Sequence, residues 1–309
     1  MTKLIITADK HNIDPSSYAF FIFDLELNKV IAKANYTEML STDLPDNAGR
    51  KSFRPFGIAQ SENHIFISSN GNIVKFNNKT LEPIELVCST GVINTHQIAY
   101  YQGCLYRTNT SNDTISKINL NSLKETHFSF KNMSIIDKID KPRNYSNNDN
   151  NHINSLLIHE DKIYVMAHNN NVRDSEVFRL SLDFKEIHYV ARLGRCHHDI
   201  IIHNGLLYSL DTTNGALIIL NLSSGNQDKY ILAEEKNGKP YMFLRGMALV
   251  DDKLEIIGSL DFISNNIEIN GNATRITFDI NNYLITKTPV NDLAIVSCVQ
   301  AFIEQDPEL

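Results

Sequence analysis

The sequence predicts an all-β protein: a six-bladed β-propeller closed by its own C-terminal strand. Short apolar runs bounded by Asn, Asp and Gly recur along the whole 309-residue chain, which is how strands joined by tight turns read in sequence. These runs fall into groups with the spacing of a radially repeated sheet, about 40–45 residues per unit. Helical periodicity is nearly absent, which argues against α/β architectures.

The clearest unit is 195–222, RCHHDIIIHNGLLYSLDTTNGALIILNL. A polar cluster opens it, followed by a strand, a turn at His203-Asn204-Gly205, a second strand, a polar turn and a third strand; 230–233 supplies the fourth. Taken in chain order, the first unit has only three runs, at 3–8, 18–25 and 30–36. The second reads RPFGIAQ, HIFISS, NIVKFN and PIELVC from residue 54, and the third reads THQIAYY, CLYRTN, ISKINL and THFSF from 95. The fourth reads NHINSLLI, KIYVMA, EVFRLSL and IHYVAR from 151, and the sixth reads LRGMALV, KLEIIGS, ATRITFDI and YLITKT from 244. One strand is outstanding in the first unit, and 292–301 (DLAIVSCVQA) supplies it. Closure of this kind leaves no long sheet edge to template aggregation. The whole chain, 1–309, is expected to form a single propeller domain.

Four segments exceed the length of plain connectors: 37–53, 133–150, 168–175 and 261–272. In a propeller, all four project from the face where the innermost strands begin, as loops around a site do.

A net charge of −7 argues against a nucleic-acid or anionic-membrane surface, either of which needs a basic field. No apolar run approaches the roughly 20 residues that span a bilayer. The opening MTKLIITADKHN lacks the apolar segment of a signal peptide, so a cytoplasmic protein is expected. Cys88, Cys104, Cys196 and Cys298 show no CxxC pairing, and they read as free thiols in a reducing compartment.

Aligning the second strands on Ile65, Leu105, Ile163, Leu207 and Leu254 brings the starts of the innermost strands into register. One axial layer then holds Phe56, His96, Asn154, His198 and Arg245, and a layer two residues earlier holds Arg54, Asn94, His152, Cys196 and Phe243. Residues two apart on a strand face the same way, and these strands surround one axis. Polar groups converging there need hydrogen-bond partners or a ligand. Backbone and channel water can satisfy them, but such a concentration in a cleft also marks a functional site. His197, next to His198, is expected to pack between blades unless a bulge reverses it. His11 and His168 sit on the loop side, where a lone histidine is usually solvated. Asp199 and Asp292 are candidates to orient an imidazole, or are turn residues.

The segments THQIAYYQGCLYRTNTSNDTISKINL, NHINSLLIHEDKIYV, CHHDIIIHNGLLYSLDTTNGALIIL and FLRGMALVDDKLEIIGS resemble a family of uncharacterised bacterial six-bladed propellers, a conserved domain of unknown function. That resemblance implies fold and carries no activity. A looser active-site analogy is to arylsulfate sulfotransferase propellers, which gather histidines and an arginine on the axis.

Three functional readings follow. In the first, an enzyme binds a small anionic molecule through Arg54 and Arg245, with Asn154 and Cys196 also lining the substrate, and His198, His152 and His96 act as acid/base or nucleophile. Transfer, hydrolysis, elimination and isomerisation all remain open. In the second, His96, His152 and His198 ligate a divalent metal, with Cys196 as a fourth ligand. In the third, the propeller is a non-catalytic interaction platform. No particular protein partner is indicated.

Overall fold

The computed structural model describes residues 2–11, 18–35, 55–69, 71–89, 95–136, 150–236, 239–240, 242–260 and 273–303. The chain forms six antiparallel blades, as the sequence predicts. Blade two is Pro55–Gln60, His64–Ser69, Asn72–Asn77 and Pro83–Ser89, in that order from the axis outward. Blades four, five and six begin with the inner strands Ile153–His159, His197–His203 and Met242–Val250. Blade three begins with Ile98–Tyr101 and carries a fifth edge strand, Ser134–Ile136, where the sequence reads as loop.

The C-terminal strand Leu293–Ala301 is the innermost strand of blade one. It runs antiparallel to Lys3–His11, pairing Leu4 with Ala301 and His11 with Leu293. The ring is thereby closed by the two ends of the chain.

Each pair of neighbouring blades traps its own apolar cluster, as stacked sheets with alternating side chains do. Leu4, Phe21, Val250, Leu293 and Val299 fill the joint between blades six and one. Tyr106, Phe128, Leu156, Ile163 and Val165 fill the joint between three and four. Two ion pairs, each with one buried partner, reinforce the joints. Arg107 Nη2 lies 3.0 Å from Glu125 Oε2 in blade three, while its Nη1 donates to the Gly71 carbonyl of blade two at 3.1 Å. Arg275 Nε lies 2.8 Å from Glu255 in blade six, and its Nη1 donates to the Leu25 carbonyl of blade one at 2.7 Å.

The innermost strands are not regular. Pairing registers shift at the same level in four blades, between Pro55 and Ile58, Ile153 and Ser155, His198 and Ile201, and Leu244 and Met247. A bulge of this kind bends the strand and re-aims its side chains. Gly57 and Gly246 sit at these levels because the neighbouring strand passes against them. A Cβ at 57 would lie 2.8 Å from the His96 carbonyl oxygen, and one at 246 would lie 2.6 Å from Val299 Cγ2. Among the described residues, no helix is long and apolar enough to cross a membrane. The expected loops at 37–53 and 261–272, and most of 133–150, lie outside the described residues.

Candidate functional site

The starts of the inner strands bring a ring of flat side chains around the axis. Phe56 stacks on His96 with ring centroids 5.1 Å apart. His96 meets His152 at 5.1 Å, His152 meets His168 at 5.0 Å, and His168 meets His198 at 4.9 Å. His198 meets Phe243 at 5.7 Å, and the Arg245 guanidinium lies 5.4 Å over the Phe56 ring. His96, His152, His198 and Arg245 thus meet in one ring, as the sequence suggests. Asn154 does not join it. The bulge at its position turns the side chain into the wall, where Nδ2 donates to the His197 carbonyl at 3.1 Å and Oδ1 accepts the Ser155 hydroxyl. Arg54 and Asn94 lie outside the described residues.

His152 of the ring and Cys196, two residues before His198, sit on strained backbone. His152 has φ +48° and Cys196 φ +60°, a left-handed conformation that residues with a Cβ adopt at a cost. The strain at His152 is held by Asp113, whose carboxylate accepts the backbone N–H groups of Asn150, Asn151 and His152 at 2.9–3.0 Å. That arrangement aims His152 inward although it precedes the strand proper.

His168 is the residue that sequence reading misplaces. It is buried at 7% exposure rather than solvated, and its Nε2 lies 3.1 Å from Cys196 Sγ. His168, Cys196 and His198 each offer a ligand atom, and these atoms lie within 4.8 Å of one another. His168 Nδ1 is buried without a hydrogen-bond partner among the described residues, which in a native interior calls for an explanation such as an ion or water. The signal for His168 was in the repeat. Counted from the aligned Leu105, Ile163 and Leu207, the equivalent residues are Thr110, His168 and Thr212. Each leans on the next blade: Thr110 donates to the Ile153 carbonyl at 2.7 Å, Thr212 donates to the Leu244 carbonyl at 2.9 Å, and His168 reaches Cys196.

Burial dominates the electrostatics. It holds the His168 imidazole down to about 3, with His152, Arg245 and His197 adding repulsion. Burial also holds His198 well below its ordinary value, helped by Arg245 and the neighbouring imidazoles. Both rings are therefore neutral near pH 7, which is the form that ligates a metal. Burial pushes the Cys196 thiol up, against a hydrogen bond from Thr213 that lowers it. His197 packs between blades four and five, as expected, its backbone N–H donating to Ser175 Oγ of blade four at 3.1 Å and its Nδ1 3.0 Å from Ser209 Oγ of blade five. Neither candidate carboxylate orients an imidazole. Asp199 bonds Gln97 and the Gly246 backbone, and Asp292 accepts the Val30 N–H.

Fold and site together define a six-bladed β-propeller with an axial imidazole–thiol cluster. No family model matches the chain, and no curated protein matches it. Solved structures share its fold. A protein of unknown function from Bacteroides caccae matches with a TM-score of 0.66 at 10% identity, over 98% of this chain and 99% of that one. A chain of the nidogen/laminin complex matches with a TM-score of 0.65 at 10% identity, over 99% of each chain. The virginiamycin B lyase of Staphylococcus aureus matches with a TM-score of 0.51 at 15% identity, over 76% of this chain and 69% of that one.

Proposed function

We propose that the axial mouth is a metal-dependent catalytic site for a small anionic molecule. The observation that carries this reading is the convergence of His168, Cys196 and His198 to within 4.8 Å. Donor atoms on a tetrahedral zinc stand about 3.5 Å apart, so a small inward movement closes the trio on one ion. Two imidazoles and a thiolate favour a borderline metal such as zinc over magnesium or calcium, which take oxygen ligands. Three protein ligands leave a fourth position for water or substrate. An ion held there supplies Lewis-acid polarisation of a substrate oxygen or an activated water.

The remaining ring members have roles that follow from position. His152 and His96 stand next along the ring and act as bases within reach of a bound molecule. Arg245 presents paired donors to its anionic end. Of the three histidines that the sequence offers as ligands, this reading keeps His198, adds His168 and turns His96 and His152 toward substrate. Lyase chemistry is the first reaction class to screen, because a solved propeller of this fold is named a lyase.

The 3.1 Å contact between His168 and Cys196 favours a second reading, with Cys196 as nucleophile and His168 as its base. Cobalt substitution separates the two. The metal reading expects a thiolate-to-cobalt charge-transfer band that disappears in Cys196→Ser. Cobalt that binds without such a band, or a band unchanged in Cys196→Ser, contradicts it. Stoichiometric alkylation of Cys196 in the presence of saturating metal would favour the nucleophile.

A further inference from the structure

Beyond the histidine ring, the axial channel changes character. The innermost strands continue into a cavity of about 400 Å3. Its wall draws on every blade, with Cys298, Ile58, Ile98, Leu156, Ile200 and Met247 in ring order, and Gln60, Tyr100, Tyr101 and Gln300 add polar atoms to the lining. Its floor is polar. Asp199 of blade five reaches past blade four, its Oδ1 accepting Gln97 Nε2 of blade three at 2.5 Å. Its Oδ2 accepts the Gly246 N–H of blade six at 2.8 Å. Gln97 Oε1 in turn accepts the Leu156 N–H of blade four at 2.7 Å. Through Leu156 and Ser155 of blade four, which lies between them, the Gln97–Asp199 bond links blades three to six at one level of the axis. It forms a bridge with the histidine ring on one side and the cavity on the other.

The Asp199 carboxylate lines this cavity at 5% exposure, and the groups that donate to it, an amide and a backbone N–H, are neutral. A carboxylate in such a place is costly unless a cation meets it; the Arg245 charge acts on it, but no residue lining the cavity carries positive charge. The geometry points to a second ligand site, in which the cavity takes a small molecule with a compact apolar body and an ammonium head set against Asp199. The wall selects the body, since none of the six ring residues offers a strong polar group. The floor selects the head, since an anion there meets like charge. The net charge of −7 favours the approach of a cation. The volume lies in the range of small-molecule sites. Residues 200 to 202 advance about 7 Å along the strand, about the length of an extended six-carbon chain. Nothing in the proposal depends on a metal, because His168, Cys196 and His198 do not line the cavity.

The test uses the full chain and three probes of one shape, n-hexylammonium, n-hexanol and n-hexanoate, titrated by calorimetry. Hexylammonium is expected to bind saturably, one per chain, at least tenfold more tightly than hexanol, with no binding of hexanoate. Equal affinity for the ammonium and the alcohol, or no saturable binding of the ammonium, overturns the proposal. Ile202→Trp and Leu249→Trp each fill the cavity from a lining position without touching the floor. Either variant, once shown to be folded by circular dichroism, is expected to lose hexylammonium binding. Undiminished binding in a folded variant places the amine elsewhere and overturns the site.

Discussion

His198 Nδ1 lies 2.9 Å from Thr212 Oγ1, and the same hydroxyl donates to the Leu244 carbonyl at 2.9 Å. With its single proton committed to Leu244, Thr212 accepts from His198. His198 therefore carries its proton on Nδ1 and keeps the Nε2 lone pair for a ligand. This is the partner that a metal-ligating imidazole normally has, supplied here by a hydroxyl.

Thr212→Val keeps the side-chain volume and removes this orienting bond. Zinc affinity, read by competition with a chromophoric chelator, is expected to fall about 10- to 100-fold. The lost hydrogen bonds are expected to cost about 1–2 kcal/mol of stability. Unchanged affinity would remove Thr212 from the account of the site.

Asp113 has a structural role with a functional consequence. It collects three successive backbone N–H groups and fixes His152 at φ +48°. Asp113→Ala is expected to lower stability by about 2–3 kcal/mol in urea unfolding, as for lost bonds to a buried charge. It is also expected to free His152 from the ring, which the imidazole signals in NMR will report. A variant with wild-type stability would show that the carboxylate does not hold this turn.

The sequence made the architecture legible because each blade announces itself in the same terms: alternating strands, then Asn, Asp or Gly turns. Even closure was legible, since 292–301 was a strand with no partner and blade one lacked a strand. The ring was legible in part. His96, His198 and Arg245 follow from simple strand alternation. His152 falls in the neighbouring layer by that count and joins the ring because Asp113 holds its backbone left-handed. Asn154 was miscounted into the ring because a bulge leaves no mark in residue type. His168 was hidden by a general expectation about loop histidines, although its repeat position, shared with Thr110 and Thr212, pointed to the next blade.

Arg107 tests how the blades are held together. Its guanidinium is fully buried, paired with Glu125 and bonded to the Gly71 carbonyl of the neighbouring blade. Arg107→Ala leaves Glu125 without its cation, with only the Cys88 thiol and His127 beside it, and opens a cavity; it is expected to cost about 3–5 kcal/mol in denaturant unfolding. Lys75→Ala, which breaks the outer pair with Glu85, is expected to cost less than about 1 kcal/mol. Similar losses for both variants would mean that the Arg107–Glu125 pair is not a specific clasp.

The central claim is that His168, Cys196 and His198 hold a metal ion, and elemental analysis of the zinc-reloaded, desalted chain tests it most directly. The account predicts about one zinc per chain in the wild type. That zinc should be retained in His96→Ala and lost in the His168→Ala, His198→Ala double variant, with the propeller's circular dichroism intact. A double variant that keeps the zinc, or a wild-type chain that takes up none on reloading, would contradict it.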